Sequence, residues 1–371
     1  MKIDRKELIA ALAPIKPALQ SRSSVKELSH IWFDEDFAYA HDGGLGIRVA
    51  LETPFKFGVL GSLLLSLLEQ PGPDSLTLEA KDDVLSFKVG KSSVKLTTLS
   101  LTHRVWPYPD KLPGKPTATL KVSEALVAGI KRVMVVRVSS PRRMEHHGIC
   151  VYKANAKEID LYTTDSNVLS VAPVAEPIVG KLDKTVLPRA FAEQLVSQCK
   201  VGATLNFFDD FMVAEASKGI TLYSNVFDTT GMLDLPEYAD KLSDKEVAPP
   251  FKFPPDLTAA LERSVLMAGS EAPVVRLSTS GKVLKLSGHF KNRGELDEEF
   301  ALSRSVPKCS ISVMARALLL VKGAESFSLQ TDAATLIGDD GFMYFAGPYK
   351  DDEKPERVSR GREDVDDDIP F

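Results

Sequence analysis

One supersecondary pattern recurs about every 60 residues: an amphipathic helix, then two or three short strands with alternating apolar and polar residues. Period and capping residues predict helices over 7–19, 59–68, 123–138, 188–199, 255–268 and 310–321. Six such units are described most simply as three domains of two units each. The sequence therefore predicts an α+β fold with domains over 1–114, 115–247 and 248–350, joined by short Pro-rich segments.

The charge of the chain is concentrated at its end. Residues 351–371 carry nine Asp or Glu and four Lys or Arg, so residues 1–350 hold 42 charges of each sign and are neutral. The segment has almost no apolar residue before its last three. It cannot bury enough surface to offset its ordering entropy, and we expect a disordered acidic tail.

Several classes of protein are disfavoured by the remaining composition. No apolar run approaches the roughly 20 residues that span a bilayer, and the first residues are polar, which favours a cytoplasmic protein. Cys150, Cys199 and Cys309 are far apart without ligand spacing, so we expect reduced thiols. The only local cluster of His and acid is Arg142-Arg143-Met144-Glu145-His146-His147, and it lacks a third ligand at a plausible spacing. We predict loop or surface positions for His146 and His147, no metal, no cofactor and no enzymatic activity.

Five segments carry a resemblance to a known family: the opening MKIDRKELIAAL and residues 162–169, 186–189, 235–238 and 342–350. They resemble, in that order, the first strand and helix, an Ala-Thr-Asp-Gly-His-Arg-Leu segment, a Val-Pro-Arg, a Phe-Pro-Asp-Tyr and the closing strand of the beta sliding clamp of bacterial DNA polymerase III. The resemblance covers residues 1–350. The sequence is divergent, which is typical of a phage or mobile-element version acting in the host cytoplasm.

The resemblance implies a three-domain clamp whose two copies join head to tail in a ring around duplex DNA, serving a DNA polymerase and a clamp loader. A contact that holds DNA without reading its sequence needs Lys and Arg against phosphates. The candidates on or beside predicted helices are Arg22, Lys131, Arg132, Arg137, Arg142, Arg143, Arg189, Arg263, Arg316 and Lys322. The second predicted helix carries no basic residue, which departs from the family.

The resemblance also implies an apolar pocket for the short clamp-binding peptides of partner proteins. By position it is expected to contain Thr164, Leu169, Pro236, Tyr344, Phe345, Ala346 and Pro348. Val168 and Asp240 stand where the family tends to have Arg, so the preferred ligand is expected to differ.

The last six residues resemble the C-terminal tip of bacterial single-stranded DNA-binding proteins. They are Asp366, Asp367, Asp368, Ile369, Pro370 and Phe371. The resemblance implies a docking peptide whose Phe enters an apolar pocket of a partner that recognises such tips. Two further roles are that the tail competes with DNA for basic residues, or that its apolar end occupies the clamp's own pocket.

Two other functions remain open from the sequence. The tip also suggests a single-stranded DNA-binding or replication-scaffold protein, which needs a single oligonucleotide-binding barrel with aromatic platforms. The body is long for one barrel, and Trp32 and Trp106 are its only tryptophans. An enzyme is the other alternative, although the sequence contains neither Gly-x-Ser-x-Gly nor a phosphate-binding Gly loop.

Overall fold

The computed structural model describes residues 1–20, 25–104, 106–137, 143–216, 219–243, 249–321, 324–338 and 340–349. Helices and strands alternate throughout these ranges, which confirms the predicted α+β class. The elements of the first third are β1 (Lys2–Asp4), α1 (Arg5–Leu12), β2 (His30–Asp34), β3 (Phe37–His41), β4 (Leu45–Ala50), β5 (Lys56–Leu60), α2 (Gly61–Glu69), β6 (Ser75–Thr77), β7 (Glu79–Lys81), β8 (Val84–Val89) and β9 (Ser92–Ser100).

The same order of elements continues through the rest of the chain. The middle third contains β10 (Ala118–Lys121), α3 (Glu124–Val133), β11 (Gly148–Lys153), β12 (Ile159–Thr164), β13 (Val168–Val174), β14 (Ile178–Gly180), β15 (Lys184–Pro188), α4 (Arg189–Gln198), β16 (Thr204–Phe207), β17 (Phe211–Glu215), β18 (Ile220–Asn225) and α5 (Leu235–Leu242). The last third contains β19 (Phe251–Lys252), α6 (Leu257–Ala268), β20 (Val274–Phe290), β21 (Gly294–Met314), α7 (Ala315–Leu318), β22 (Ser326–Leu329), β23 (Ala334–Ile337) and β24 (Met343–Ala346).

Two large antiparallel sheets run across the boundaries between the thirds. The first has twelve strands and passes from the first third to the middle third where β4 pairs with β18, which we call the first joint. The second has eight strands and passes from the middle third to the last where β13 pairs with β24, the second joint. The described strands do not form a single small barrel. The single-stranded DNA-binding alternative requires such a barrel.

The helices form where the sequence supplies both a cap and an apolar stripe. The Asp4 carboxylate accepts hydrogen bonds from the first turn of α1, and the Ser123 hydroxyl accepts one from Leu126 at the start of α3. Leu126, Ile130 and Val133 then lie on one buried face of α3. The buried faces of the helices pack on the sheets to form the main core, which extends through all three thirds.

The structure corrects several predicted elements. The first helix ends at Leu12, and residues 13–18, which include Pro14 and Pro17, form a 3-10 helix. The predicted helix over 310–321 is wrong: residues 310–314 belong to β21, and only Ala315–Leu318 are helical. Ile311 and Val313 alternate with less buried neighbours, which suits a strand. Helix α5 was not predicted.

Candidate functional site

The first joint has a separate aromatic cluster on the face of the sheet that lies opposite the main core. Trp106 and Tyr108, from the segment that connects the first and middle thirds, pack against Tyr223 of β18. A Cβ on Gly46 of β4 would come within 2.6 Å of the Tyr108 ring, so the ring lies directly on the strand. The connecting segment therefore seals this face of the first joint.

Polar contacts hold that connecting segment in place. Arg104 forms ion pairs with Asp34 at 3.4 Å and Asp110 at 3.5 Å, and it lies over the Tyr39 ring. Arg48 donates a hydrogen bond to the Asp110 carbonyl at 3.1 Å. These contacts join the segment to strands on the sheet that it covers.

The second joint is covered on the corresponding face by helix α5. Its buried Leu235, Ala239 and Leu242 pack with Leu169 of β13 and Phe345 of β24. The hydroxyl of Tyr152 donates to the Leu233 carbonyl at 2.8 Å just before the helix, and the Gln330 amide donates to the Leu242 carbonyl at 3.0 Å at its end. The helix is thus fastened to both the middle and the last third.

Helix α5 leaves part of this face open as a pocket of about 430 Å³ between itself and the second joint. The wall comprises residues from the β12–β13 turn, from α5 and from the end of β24: Thr164, Ser166, Asn167, Val168, Leu169, Tyr238, Lys241, Leu242, Asp332, Phe345, Gly347 and Pro348. The floor is apolar and the rim is mixed, which suits a short peptide with one or two apolar anchors.

A tight turn shapes one side of this pocket. The Asp165 carboxylate accepts hydrogen bonds from the backbone N–H groups of Asn167 and Val168, both at 2.9 Å. Ser166 has a φ of 77°, a conformation that glycine adopts without strain. Its hydroxyl lies 3.0 Å from Nε2 of His146, which is buried rather than on the surface as predicted.

Four of the seven residues expected in the pocket line it: Thr164, Leu169, Phe345 and Pro348. Tyr344 and Ala346 flank Phe345 on the same strand and therefore point into the main core, where burial raises the pKa of Tyr344. Pro236 lies in the first turn of α5, half-buried and outside the pocket wall. Successive residues of a strand point to opposite faces of the sheet. The prediction that residues 344, 345 and 346 all line the pocket was therefore wrong for 344 and 346.

The sequence prediction missed most of the α5 wall. Tyr238, Lys241 and Leu242 were not assigned to the pocket because the helix that presents them was not predicted. Gly347 was missed too. A Cβ there would approach the Asn167 carbonyl oxygen to 2.9 Å, and the Gly347 N–H donates to that oxygen at 2.7 Å. In the sequence, only the turn-forming Asp165 and the closing strand indicated that these two segments could lie close together.

The predicted DNA-contacting residues differ in how free their charges are. Arg189 donates to the carbonyls of Met134 and Val136 at 2.8 and 2.7 Å, so it satisfies the end of α3. Arg263 makes a bidentate ion pair with Glu298 at 2.8 and 2.6 Å. Arg132 pairs with Asp340 and lies over the Phe342 ring. These three guanidinium groups have intramolecular partners.

The other candidates are more open to solvent. Lys131 and Arg137 are exposed and make no ion pair among the described residues. Arg143 lies 3.8 Å from Glu145, and Arg316 makes a 3.5 Å contact with the Gly269 carbonyl. Arg22, Arg142, Lys322 and the predicted docking tip lie outside the described residues.

The described residues contain no group of three or more His, Cys, Asp or Glu placed to hold a metal ion. The three cysteines are free thiols, as predicted, and burial, with a smaller effect from Glu145, raises the pKa of Cys150 to about 12. Such a thiol is protonated and a poor nucleophile at neutral pH. Among the described residues, no helix combines the length and apolar character that crossing a bilayer requires.

Solved structures of known proteins share this fold, whereas neither protein-family models nor curated protein sequences give a match. DNA polymerase III subunit beta from Pseudomonas aeruginosa is 17% identical, with a TM-score of 0.78 over 94% of this chain and 99% of that chain. The sliding clamp from Bacillus subtilis is 15% identical, with a TM-score of 0.77 over 94% and 98%. The beta chain from Streptococcus pneumoniae is 16% identical, with a TM-score of 0.76 over 94% and 99%.

Proposed function

We propose that this chain, which has the fold of the bacterial polymerase III beta sliding clamps, is itself a DNA sliding clamp and a processivity factor. The observation that carries the proposal is the match over 94% of the chain, combined with a pocket at the second joint. A clamp acts by topology and docking rather than by catalysis, so the proposal does not require a catalytic residue. A phage-encoded clamp would act in the host cytoplasm.

The open sheet edges support a head-to-tail ring of two copies. In the first third, the twelve-stranded sheet ends at β7, which pairs only with β8 among the described strands. In the last third, β20 and β21 pair only with each other in the described part of the chain. Long unpaired edges favour pairing with another chain, and a second copy that joins the two ends would cover them.

DNA contact in such a ring is assigned to the exposed cations on and beside the helices. Lys131, Arg137, Arg143 and Arg316 are the better candidates among the described residues, because their charges are free or weakly paired. Arg132, Arg189 and Arg263 have stronger intramolecular partners and would contribute less. A ring that holds duplex DNA by topology needs only weak, sequence-independent phosphate contacts.

The pocket at the second joint is assigned to peptides of a DNA polymerase and a clamp loader. Its apolar floor provides the affinity, and the polar groups of Lys241, Asp332 and the turn at Asn167 fix the orientation of the bound peptide. The acidic tip at 366–371 is assigned separately, as a docking peptide for proteins that recognise the tip of single-stranded DNA-binding proteins. The order of residues supports this assignment, because the apolar Ile369, Pro370 and Phe371 directly follow three Asp residues.

Retention on circular DNA tests the ring directly. Purified protein is loaded with a clamp loader on nicked circular DNA and separated from free protein by gel filtration in high salt. We expect the protein to stay with circular DNA and to be lost after the circle is linearised, because a ring slides off an end. Equal loss from both DNA forms, or tight loader-independent binding to short single strands, would reject the proposal.

A further inference from the structure

The described chain ends at the rim of the pocket. Gly347 and Pro348 are part of its wall, and the Tyr349 N–H donates to the Ser312 carbonyl at 2.7 Å just beyond it. The 22 residues from 350 to 371 therefore start beside the pocket. Fully extended, a segment of this length reaches at most about 75 Å, so returning its end to the pocket is well within its reach.

The end of that segment has the chemistry that the pocket accepts. Ile369, Pro370 and Phe371 are the only consecutive apolar residues in 351–371. The pocket floor contains Leu169, Leu242 and Phe345, and Tyr238, 44% exposed, stands at its edge. Burying an Ile and a Phe side chain there removes their apolar surface from water, together with part of the exposed Tyr238 ring.

We propose that the apolar end, Ile369–Pro370–Phe371, occupies the pocket of its own chain and competes with partner peptides for it. The proposal rests on the pocket being a peptide site, as proposed above. A tethered ligand has an effective concentration of about 1 mM, so a dissociation constant of about 0.1 mM for the free tip is enough for roughly tenfold occupancy over vacancy. An occupant of this strength excludes weak ligands and yields to a polymerase that binds more tightly.

The charges at the rim explain why occupancy is weak and how it responds to salt. Among the described residues of the pocket wall, Lys241 is the only cation, and its ammonium lies 2.7 Å from the Glu237 carboxylate. Asp332 adds a negative charge to the rim. The run Asp366–Asp368 therefore gains no net attraction, and the apolar contacts carry the binding. Occupancy should survive high salt, whereas a contact of the tail with basic DNA-facing residues would be screened.

A competition experiment on the full chain tests the proposal. The probe is a fluorescein-labelled hexapeptide, Asp-Asp-Asp-Ile-Pro-Phe, whose binding is followed by fluorescence anisotropy. The double substitution Ile369→Ser with Phe371→Ser removes the competing end without changing the charge of the tail. We expect it to tighten probe binding about tenfold, at both low and high salt. The matched double substitution Val358→Ser with Val365→Ser removes two apolar residues elsewhere in the tail and should leave binding unchanged.

The location of the probe is checked with Tyr238→Ala, which should weaken its binding in the variant that lacks the competing end. Equal probe affinity in all tail variants, or no binding to any of them, would overturn self-occupancy. A tightening that disappears when the protein is diluted would overturn occupancy within one chain in favour of exchange between copies. None of these outcomes affects retention on circular DNA, so failure of the inference and failure of the proposed clamp function are separable.

Discussion

The two joints of this molecule solve the same structural problem differently. At each, an antiparallel strand pair continues a sheet from one third of the chain to the next, with the main core on one face. At the first joint, the connecting segment inserts Trp106 and Tyr108 against the other face and seals it. At the second, the connecting segment forms α5 and leaves a pocket of about 430 Å³.

The difference shows that sheet continuity alone does not create a pocket. An extended connection can place aromatic rings directly on the strands, and Gly46 provides room for one of them. A helix has a diameter of about 10 Å and contacts a sheet only along one stripe, so it leaves space at its flank. The first joint should therefore contribute mainly to stability and the second mainly to binding.

The largest expected effect is a contrast between two tyrosines. Tyr108 at the first joint is 4% exposed and packs in the aromatic cluster, so Tyr108→Ala should lower the free energy of unfolding by roughly 3–5 kcal/mol. Tyr238→Ala at the second joint removes a 44% exposed ring and should cost less than about 0.5 kcal/mol. Urea titrations followed by circular dichroism measure both. Similar losses would show that the joints do not differ in this way.

A second test crowds the sealed joint. Gly46→Ala adds a Cβ that would lie 2.6 Å from Tyr108 and 3.1 Å from Trp106, and it should destabilise by about 1–3 kcal/mol. The nearby Gly44→Ala is the control, because its Cβ would meet only Asp42 Oδ1, at 3.8 Å. Thermal unfolding of the two variants gives the comparison, and equal midpoints would mean that the rings move aside freely.

The sealed joint should also make stability depend on pH. His41 is buried against Trp106 and Tyr108, and burial lowers its pKa below the usual 6.5, with Asp42 acting weakly in the opposite direction. The folded state then binds fewer protons than the unfolded state below pH 6.5. Stability is complete above pH 6.5 and falls as the pH decreases toward the folded pKa, by at most about 1.4 kcal/mol per pH unit.

Replacement of this histidine isolates its contribution. The variant His41→Gln should lose that part of the pH dependence, which urea titrations between pH 5 and 8 measure. The exposed His103→Gln is the control and should retain it. A wild-type slope that persists in His41→Gln would assign the dependence to other groups.

The smallest expected effect concerns the turn beside the open pocket. Ser166→Gly and Ser166→Ala both remove the hydroxyl near His146, but only glycine relieves the positive φ of 77°. The Gly variant should be more stable than the Ala variant by about 1 kcal/mol. A differential scanning measurement on the pair checks this, and the reverse order would indicate that the turn changes conformation when the hydroxyl is lost.

Local periodicity predicted much of the fold and less of the site. Alternation and caps gave the α+β class and the order of the elements, because these depend on neighbours in sequence. Helix α5 was missed because its apolar stripe, Leu235, Ala239 and Leu242, spans only about two helical turns. The segment 310–314 was assigned to a helix because its apolar residues fit either period over so short a range.

The pocket was predictable only in part, since its walls come from three separate parts of the chain. Leu169 and Phe345 pair directly across the second joint, and the resemblance indicated both. The α5 wall and the contact of Gly347 with Asn167 depend on tertiary packing. Arg189, Arg263 and Arg132 also have partners that are distant in sequence. The sequence therefore could not show that these three arginines are paired within the chain.

The continuity of the sheets also determines how the molecule can deform. Five residue pairs are in register across the first joint and four across the second. Bending at either place would break backbone hydrogen bonds, so the three thirds should deform together rather than independently. In the proposed ring of two copies, opening would therefore be concentrated where the copies meet, which is where a loader would apply its force.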